Sequence, residues 1–183
     1  MIFTSLDLEL NKEGNQTTDI IQIGAVIGNI YTGEILKKLR LYVKPSKPLD
    51  PFIITLTGIK QSDVDEKGTT LLEAYNELKK CHIDLKSHHS IIQWGGGDEK
   101  ELKEQLLKQG MPFYDWCFGR TYFNVKSLCQ SISKAKKQKF QGGLKKYCQR
   151  HKVIFEGPAH DALQDSLNTF KLYVDLLKKL EKI

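Results

Sequence analysis

Hydrophobic and polar residues alternate over the first ten positions of the chain, in the pattern of a β-strand whose two faces differ. Three leucines point to one face, Leu6, Leu8 and Leu10, while Asp7 and Glu9 share the other. The simpler interpretation is an amphipathic edge strand with its polar side in water. The alternative is a pair of oxygen ligands for a divalent cation, which requires further acidic residues elsewhere in the chain.

Two more strands are predicted before any long helix. Residues 11–18 are polar and predict a loop, whereas residues 19–28 are rich in the β-branched residues that favour a strand. Gly33 marks a turn, and residues 34–44 run back as a third strand that ends before Pro45. The expected arrangement is a meander of three strands.

The middle of the chain predicts helices interrupted by one buried strand. A short helix is expected after Pro48, and apolar spacing predicts a longer helix at residues 69–81. Residues 90–94 have the composition of a short buried strand, and three glycines separate it from a helix predicted at residues 98–109. A strand that passes through glycines into a helix brings backbone close to a ligand.

A further short strand at residues 121–123 and two short helices at 126–132 and 143–151 are predicted to follow. The last element is the longest, because apolar residues at 4-3-4-3 spacing predict one core-packed helix, Ala162–Leu180.

Asp165 is out of place on this last helix, because it falls on a second and largely apolar side. An unpaired carboxylate is costly to bury, so a cation or strong donors would have to compensate it. The alternative is an acid that interacts with the helix dipole in the first turn. Asp161 is interpreted as the N-cap of this helix, and His160 lies in the loop just before it.

Composition fits one domain over residues 1–183, with 40% hydrophobic residues for a core. No apolar run approaches the roughly 20 residues that span a bilayer, so a soluble, cytoplasmic protein with no membrane contact is expected. Four cysteines lie far apart without CxxC spacing, which argues against a zinc cluster and a disulfide framework.

Positive charge is concentrated in one segment of the chain. The net charge is +6, and residues 133–155 contain no acid but eight cations. These are Lys134, Lys136, Lys137, Lys139, Lys145, Lys146, Arg150 and Lys152. This basic stretch is compatible both with a solvated face and with contacts to a phosphate backbone.

The unusual polar residues suggest one chemistry when they are taken together. Asp7 and Glu9 share a strand face, Asp98 stands at the strand-to-helix break, and His160 and Asp165 begin the last helix. Phosphodiester hydrolysis is served by two divalent ions roughly 3.5–4 Å apart, which carboxylates hold. Magnesium prefers oxygen ligands, and histidine is the side chain that exchanges a proton most readily near neutral pH.

The ordered motifs resemble those of the DEDDh-type 3′ to 5′ exonucleases, which include RNase T and the proofreading subunit of bacterial replicative polymerase. Asp7-Leu8-Glu9 resembles the first motif, Asp98 the second, and the segment from His160 to Asp165 the third. Residues 21–25, 31–34, 49–52, 56–59 and 143–144 resemble further family segments, in the expected order.

The resemblance implies an α/β, ribonuclease H-like fold, a mixed central β-sheet flanked by helices, and stepwise release of nucleoside 5′-monophosphates from single-stranded RNA or DNA 3′ ends. It implies that Asp7, Glu9, Asp98 and Asp165 bind two Mg²⁺ or Mn²⁺ ions, and that His160 deprotonates the attacking water. The residues implied to contact the terminal nucleotide are Leu10, Leu56, Thr57 and Ile59.

Two features differ from the usual family pattern. Three glycines precede Asp98, so a plain acid at a helix N-terminus is the alternative for this residue. Leu10 and Asn11 replace the usual threonine pair, so contacts to the terminal sugar are expected to differ. Trp94 followed by glycine resembles the histone-mRNA and interfering-RNA exonucleases, which favours RNA.

A non-catalytic nucleic-acid-binding module on the same fold is the alternative function. A glycosidase with a carboxylate pair fits less well, because it explains neither four acids with a histidine nor the basic stretch. A homodimer and a subunit of a larger complex are both compatible with the sequence.

Overall fold

The computed structural model describes residues 1–14, 16–138 and 142–180, so Lys139 of the basic stretch lies outside the described residues. Its strands are β1 (Ile2–Glu13), β2 (Gln16–Asn29), β3 (Ile35–Tyr42), β4 (Ile91–Gln93) and β5 (Tyr122–Asn124). They form one mixed sheet in the order β3-β2-β1-β4-β5. The first three strands are antiparallel, as the meander predicted, and β4 and β5 add in parallel. β1 is therefore the central strand, so the edge-strand interpretation is wrong.

Seven helices lie in the described parts of the chain, together with a 3₁₀ turn at Phe113–Asp115. They are α1 (Pro51–Thr57), α2 (Gln61–Lys67), α3 (Leu71–Asp84), α4 (Asp98–Lys108), α5 (Val125–Ala135), α6 (Leu144–His151) and α7 (Ala162–Leu180). The predicted start of α7 at Ala162 is confirmed, and the helix runs to Leu180, the last described residue. None of these helices combines the length and the apolar character that crossing a membrane requires.

The two faces of the sheet carry different cores. Leu6 and Leu8 pack with side chains of α3 and α4, whereas Phe3 packs with side chains of α5, α6 and α7. Because side chains alternate along a strand, Asp7 and Glu9 share the face of Phe3. The two acids therefore lie on the side of the sheet that α7 covers.

One predicted element differs from the structure, and one helix was not predicted. Within the predicted loop at 11–18, residues 11–13 and 16–18 belong to strands, because β1 and β2 continue their antiparallel pairing to Glu13 and Gln16. Backbone hydrogen bonds hold this extension, and they do not depend on apolar side chains. The helix α2 was missed because it is short and only Val64 is buried in it.

Candidate metal centre

The register between β1 and β2 determines which residues lie opposite the two acids of β1. Asp7 lies opposite Gly24, and Glu9 lies opposite Gln22. A Cβ atom on Gly24 would stand only 1.9 Å from the carbonyl carbon of Ala162, the first residue of α7. Only glycine at this position lets the helix backbone rest on the sheet, which brings the N-terminus of α7 beside both acids.

Three hydrogen bonds fix the start of α7. The Asp161 Oδ1 accepts from the Gln164 N–H at 3.1 Å, which confirms Asp161 as a helix cap. The Arg40 guanidinium on β3 donates to the Asp161 Oδ2 at 2.7 Å. The Ala162 N–H donates to the Gln22 Oε1 at 2.7 Å, inside the protein. The helix start is thus tied to both β2 and β3.

His160 is held in an uncommon backbone conformation beside Asp165. Its φ of 61° is left-handed, which costs free energy for a residue other than glycine and recurs at functional sites. The His160 N–H donates to the Asp165 Oδ2 at 2.9 Å. One ligand atom from each of Glu9, His160 and Asp165 lies within 4.8 Å of the other two, close enough to share one metal ion.

Asp98 approaches Asp7 from beyond the C-terminal end of β4, the strand that pairs with β1 in parallel. It is the first residue of α4, directly after Gly97, whose φ of 121° requires glycine. After burial, the negative charge of Asp98 is the largest influence that raises the pKa of Asp7. Asp98 therefore belongs to the carboxylate cluster and does more than begin a helix.

The four carboxylates repel one another in a partly buried space. Burial, Asp98, Glu9 and Asp165 all raise the pKa of Asp7, and burial with the neighbouring acids raises the pKa of Glu9 to about 8. Burial raises the pKa of Asp98 to about 6. Burial also raises the pKa of Asp165, although its bond from the His160 N–H opposes this.

The donor set fits a hard divalent cation. The Asp165 Oδ1 is buried and has no hydrogen-bond partner among the described residues. The nearby Arg40 pairs with Asp161, outside the cluster of four carboxylates. Clustered oxygen donors with unmet negative charge are the ligands that Mg²⁺ and Mn²⁺ prefer.

The electrostatics of Glu9 predict an unusual dependence of stability on pH. A carboxyl group whose pKa is higher in the folded than in the unfolded protein stabilises the fold at pH values below its unfolded pKa. This stabilisation is lost as the pH rises through its folded pKa. With divalent metals chelated, we therefore expect the free energy of unfolding to fall between pH 4.5 and 8. Glu9→Gln should remove much of this fall. At pH 8 its free energy of unfolding should exceed that of the wild type by about 2–3 kcal/mol.

Chemical denaturation across this pH range, in EDTA, measures the effect. Glu13→Gln is the matched control, because Glu13 lies on the same strand but is exposed and should give a curve parallel to that of the wild type. A parallel curve for Glu9→Gln would contradict the repulsion described above.

The residues expected to contact the terminal nucleotide divide into two groups. Leu10 is half-buried, and Leu56 on α1 is 37% exposed. Ile59 is a core residue, packed with Ile53 and its neighbours. The buried Thr57 hydroxyl donates to the Ile53 carbonyl and accepts from the Ile59 N–H. Leu56 is thus available to a ligand, Leu10 is available only in part because it packs against the core of Leu6 and Leu8, and Thr57 and Ile59 shape the loop.

A small cavity adjoins the site and was not predicted. Its volume is about 210 Å³, and it reaches from His160 and Asp165 to Trp94, Phe155 and Lys145. Lys145 lies over the Phe155 ring, with its ammonium nitrogen 5.8 Å from the ring centre. The cavity links the carboxylate cluster to the basic stretch, because it is lined by Asp165 of the cluster and by Lys145 of the basic stretch.

Two curated relatives show what this chain is similar to in sequence. ERI1 exoribonuclease 2 of Mus musculus is 27% identical over 175 residues, which are 85% of this chain and 25% of that protein. The 3'-5' exoribonuclease 1 of Homo sapiens is 26% identical over 178 residues, which are 91% of this chain and 49% of that protein. The chain thus spans about a quarter to a half of the length of these relatives.

A solved structure shows the same fold. The nuclease domain of 3'hExo, described as a DEDDh family member bound to rAMP, has a TM-score of 0.79 at 22% identity. The match covers 97% of this chain and 92% of that one, and the ribonuclease H-like fold predicted from the sequence is confirmed. The family model RNase_T, described as exonuclease, matches residues 4–173. The chain therefore belongs to the RNase_T family of exonucleases, as its resemblance to the DEDDh type predicted.

Proposed function

We propose that residues 1–183 form one exonuclease domain, which removes nucleoside 5′-monophosphates from the 3′ ends of single-stranded nucleic acid. The observation that carries this proposal is the convergence of four carboxylates and one histidine on the central strand and the starts of α4 and α7. Family membership supplies the reaction class, and the carboxylate cluster supplies the chemistry that this class requires.

Asp7, Glu9, Asp98 and Asp165 would hold two divalent cations. When bound, these ions would neutralise the phosphate charge and stabilise the leaving oxygen. His160 takes a proton from the attacking water, since it lies beside Glu9 and Asp165 in an exposed loop that solvent reaches. Attack on the last phosphodiester breaks the bond from phosphorus to the 3′ oxygen of the preceding nucleotide and releases the terminal nucleotide.

Surface features near the site support a single-stranded substrate. In the part of the chain that the structure describes, Lys145, Lys146, Arg150 and Lys152 are exposed and form no ion pair within 4.0 Å. Arg150 lies over the Tyr147 ring and Lys145 over the Phe155 ring, and with no described carboxylate paired to them these cations can contact phosphates as the strand approaches. Leu10 and Leu56 offer apolar surface to the terminal nucleotide, and Thr57 and Ile59 set the shape of their loop.

RNA is the substrate that we favour. The relatives named above are exoribonucleases, and Trp94 followed by glycine resembles the exonucleases that act on histone mRNA and interfering RNA. Discrimination between RNA and DNA depends on contacts to the 2′-hydroxyl group.

A degradation assay with matched RNA and DNA oligonucleotides tests the proposal. With Mg²⁺ or Mn²⁺, the purified protein should shorten a 5′-labelled RNA one nucleotide at a time, and the matched DNA more slowly. EDTA should stop the reaction, and so should the double variant Asp7→Ala with Asp165→Ala.

Two results would contradict the proposal. Equal activity of the double variant would show that the carboxylate cluster is not the catalytic site. Binding of oligonucleotides that EDTA does not affect, without any cleavage, would show a non-catalytic binding module.

A further inference from the structure

Gln22 is a fully buried polar side chain that the proposed reaction does not use. It lies on β2 directly opposite Glu9, and its exposed fraction is 0%. Cross-strand partners share a face of the sheet, so its side chain extends from the same surface as the carboxylate of Glu9. Its Oε1 accepts the Ala162 N–H at 2.7 Å across 140 residues of sequence.

This hydrogen bond provides an acceptor for a backbone N–H group at the start of α7. The first N–H groups of a helix have no partner within the helix. Asp161 caps the helix through the Gln164 N–H, which leaves the Ala162 N–H to be satisfied by another group. Gln22 satisfies it inside the protein, at the point where Gly24 lets the helix rest on the sheet.

The other half of the Gln22 amide gains nothing from its burial. Its Nε2 is buried and has no hydrogen-bond partner among the described residues. A buried donor without a partner is costly, so packing in the core does not by itself account for an amide at this position. The position of Gln22 therefore points to a role in the site and not in the core.

We infer that Gln22 is a positioning residue, which holds the N-terminus of α7 so that His160 and Asp165 meet the carboxylates of β1. Ala162 lies two residues after His160 and three before Asp165, so a displaced helix start moves both side chains away from Glu9 together. This inference rests on the proposed function, since the site it positions is the proposed catalytic site.

The affinity of the full chain for Mn²⁺, measured by titration calorimetry, tests the inference together with kcat on a labelled oligonucleotide. Gln22→Leu removes the acceptor at similar volume and should weaken Mn²⁺ binding about 10–100-fold, the usual cost of losing a group that orients metal ligands. Gln22→Glu keeps an oxygen within reach of the Ala162 N–H and should recover most of the lost affinity. If Gln22→Leu does not fold, Gln22→Asn replaces it. Its shorter side chain does not reach the Ala162 N–H, so the same loss of Mn²⁺ affinity is expected.

Gln105 provides the matched control. It is also a buried glutamine that holds β2, because its side chain bonds to the Ile20 N–H and the Thr18 carbonyl, each at 3.1 Å. Gln105→Leu should lower the melting temperature and leave the Mn²⁺ affinity unchanged.

Three results would overturn the inference. They are wild-type affinity and kcat in Gln22→Leu, no recovery in Gln22→Glu, and an equal loss of affinity in Gln105→Leu. A wild-type protein that neither binds Mn²⁺ nor cleaves would instead contradict the proposed function itself.

Discussion

Asp7→Asn is expected to lower kcat for removal of the 3′-terminal nucleotide by roughly 10³-fold or more, with no loss of folding stability. Asp7 lies at the centre of the cluster, since the charges of Asp98, Glu9 and Asp165 all act on its pKa. Metal-ion stabilisation of a transition state is worth several kcal/mol, and each 1.36 kcal/mol is about tenfold in rate. Loss of one repelling charge should leave the metal-free fold at least as stable as before.

Single-turnover cleavage of a 5′-labelled oligonucleotide at saturating Mn²⁺ measures the loss, and thermal unfolding in EDTA measures stability. Asp19→Asn is the matched control, because Asp19 lies on the neighbouring strand and accepts hydrogen bonds from the backbone and hydroxyl of Ser46. Its kcat should stay at the wild-type value. A kcat for Asp7→Asn within tenfold of the wild type would remove Asp7 from the catalytic site.

The sequence predicted the elements that carry the site better than the elements around it. The alternation of Leu6 to Leu10 and the 4-3 spacing of α7 are strong local signals, because a single periodicity repeats over the whole element. The hairpin extension of β1 and β2 and the helix α2 carry no such signal. Their stability comes from backbone pairing and from a few contacts with the rest of the fold.

The candidate site could be predicted as a set of acids but not as a geometry. Asp7, Glu9, Asp98, His160 and Asp165 were predicted from residue type and order, and the structure brings them together. Nothing in the local sequence separates Gln22 from a solvated glutamine, because its role depends on a bond to a residue 140 positions away. Arg40 was missed for the same reason, since it reaches Asp161 from β3.

The role of His160 can be separated from that of the carboxylates, because a base and a metal ligand differ in what their loss changes. His160→Asn is the preferred substitution, since asparagine tolerates the left-handed backbone at φ 61° better than most residues. If His160 takes the proton from water, kcat should fall about 10²–10⁴-fold while Mn²⁺ affinity stays at the wild-type value.

Calorimetry with Mn²⁺ and single-turnover cleavage, performed on the same protein preparation, measure both quantities. The ring of His160 lies close enough to Glu9 and Asp165 to bind a metal ion with them, so a large loss of Mn²⁺ affinity would identify it as a ligand instead. His151→Asn is the control, because His151 lies on α6 and pairs with Asp175 at 3.5 Å, outside the cluster. It should change neither kcat nor Mn²⁺ affinity, and a fall in kcat confined to His160→Asn would therefore reflect the missing base.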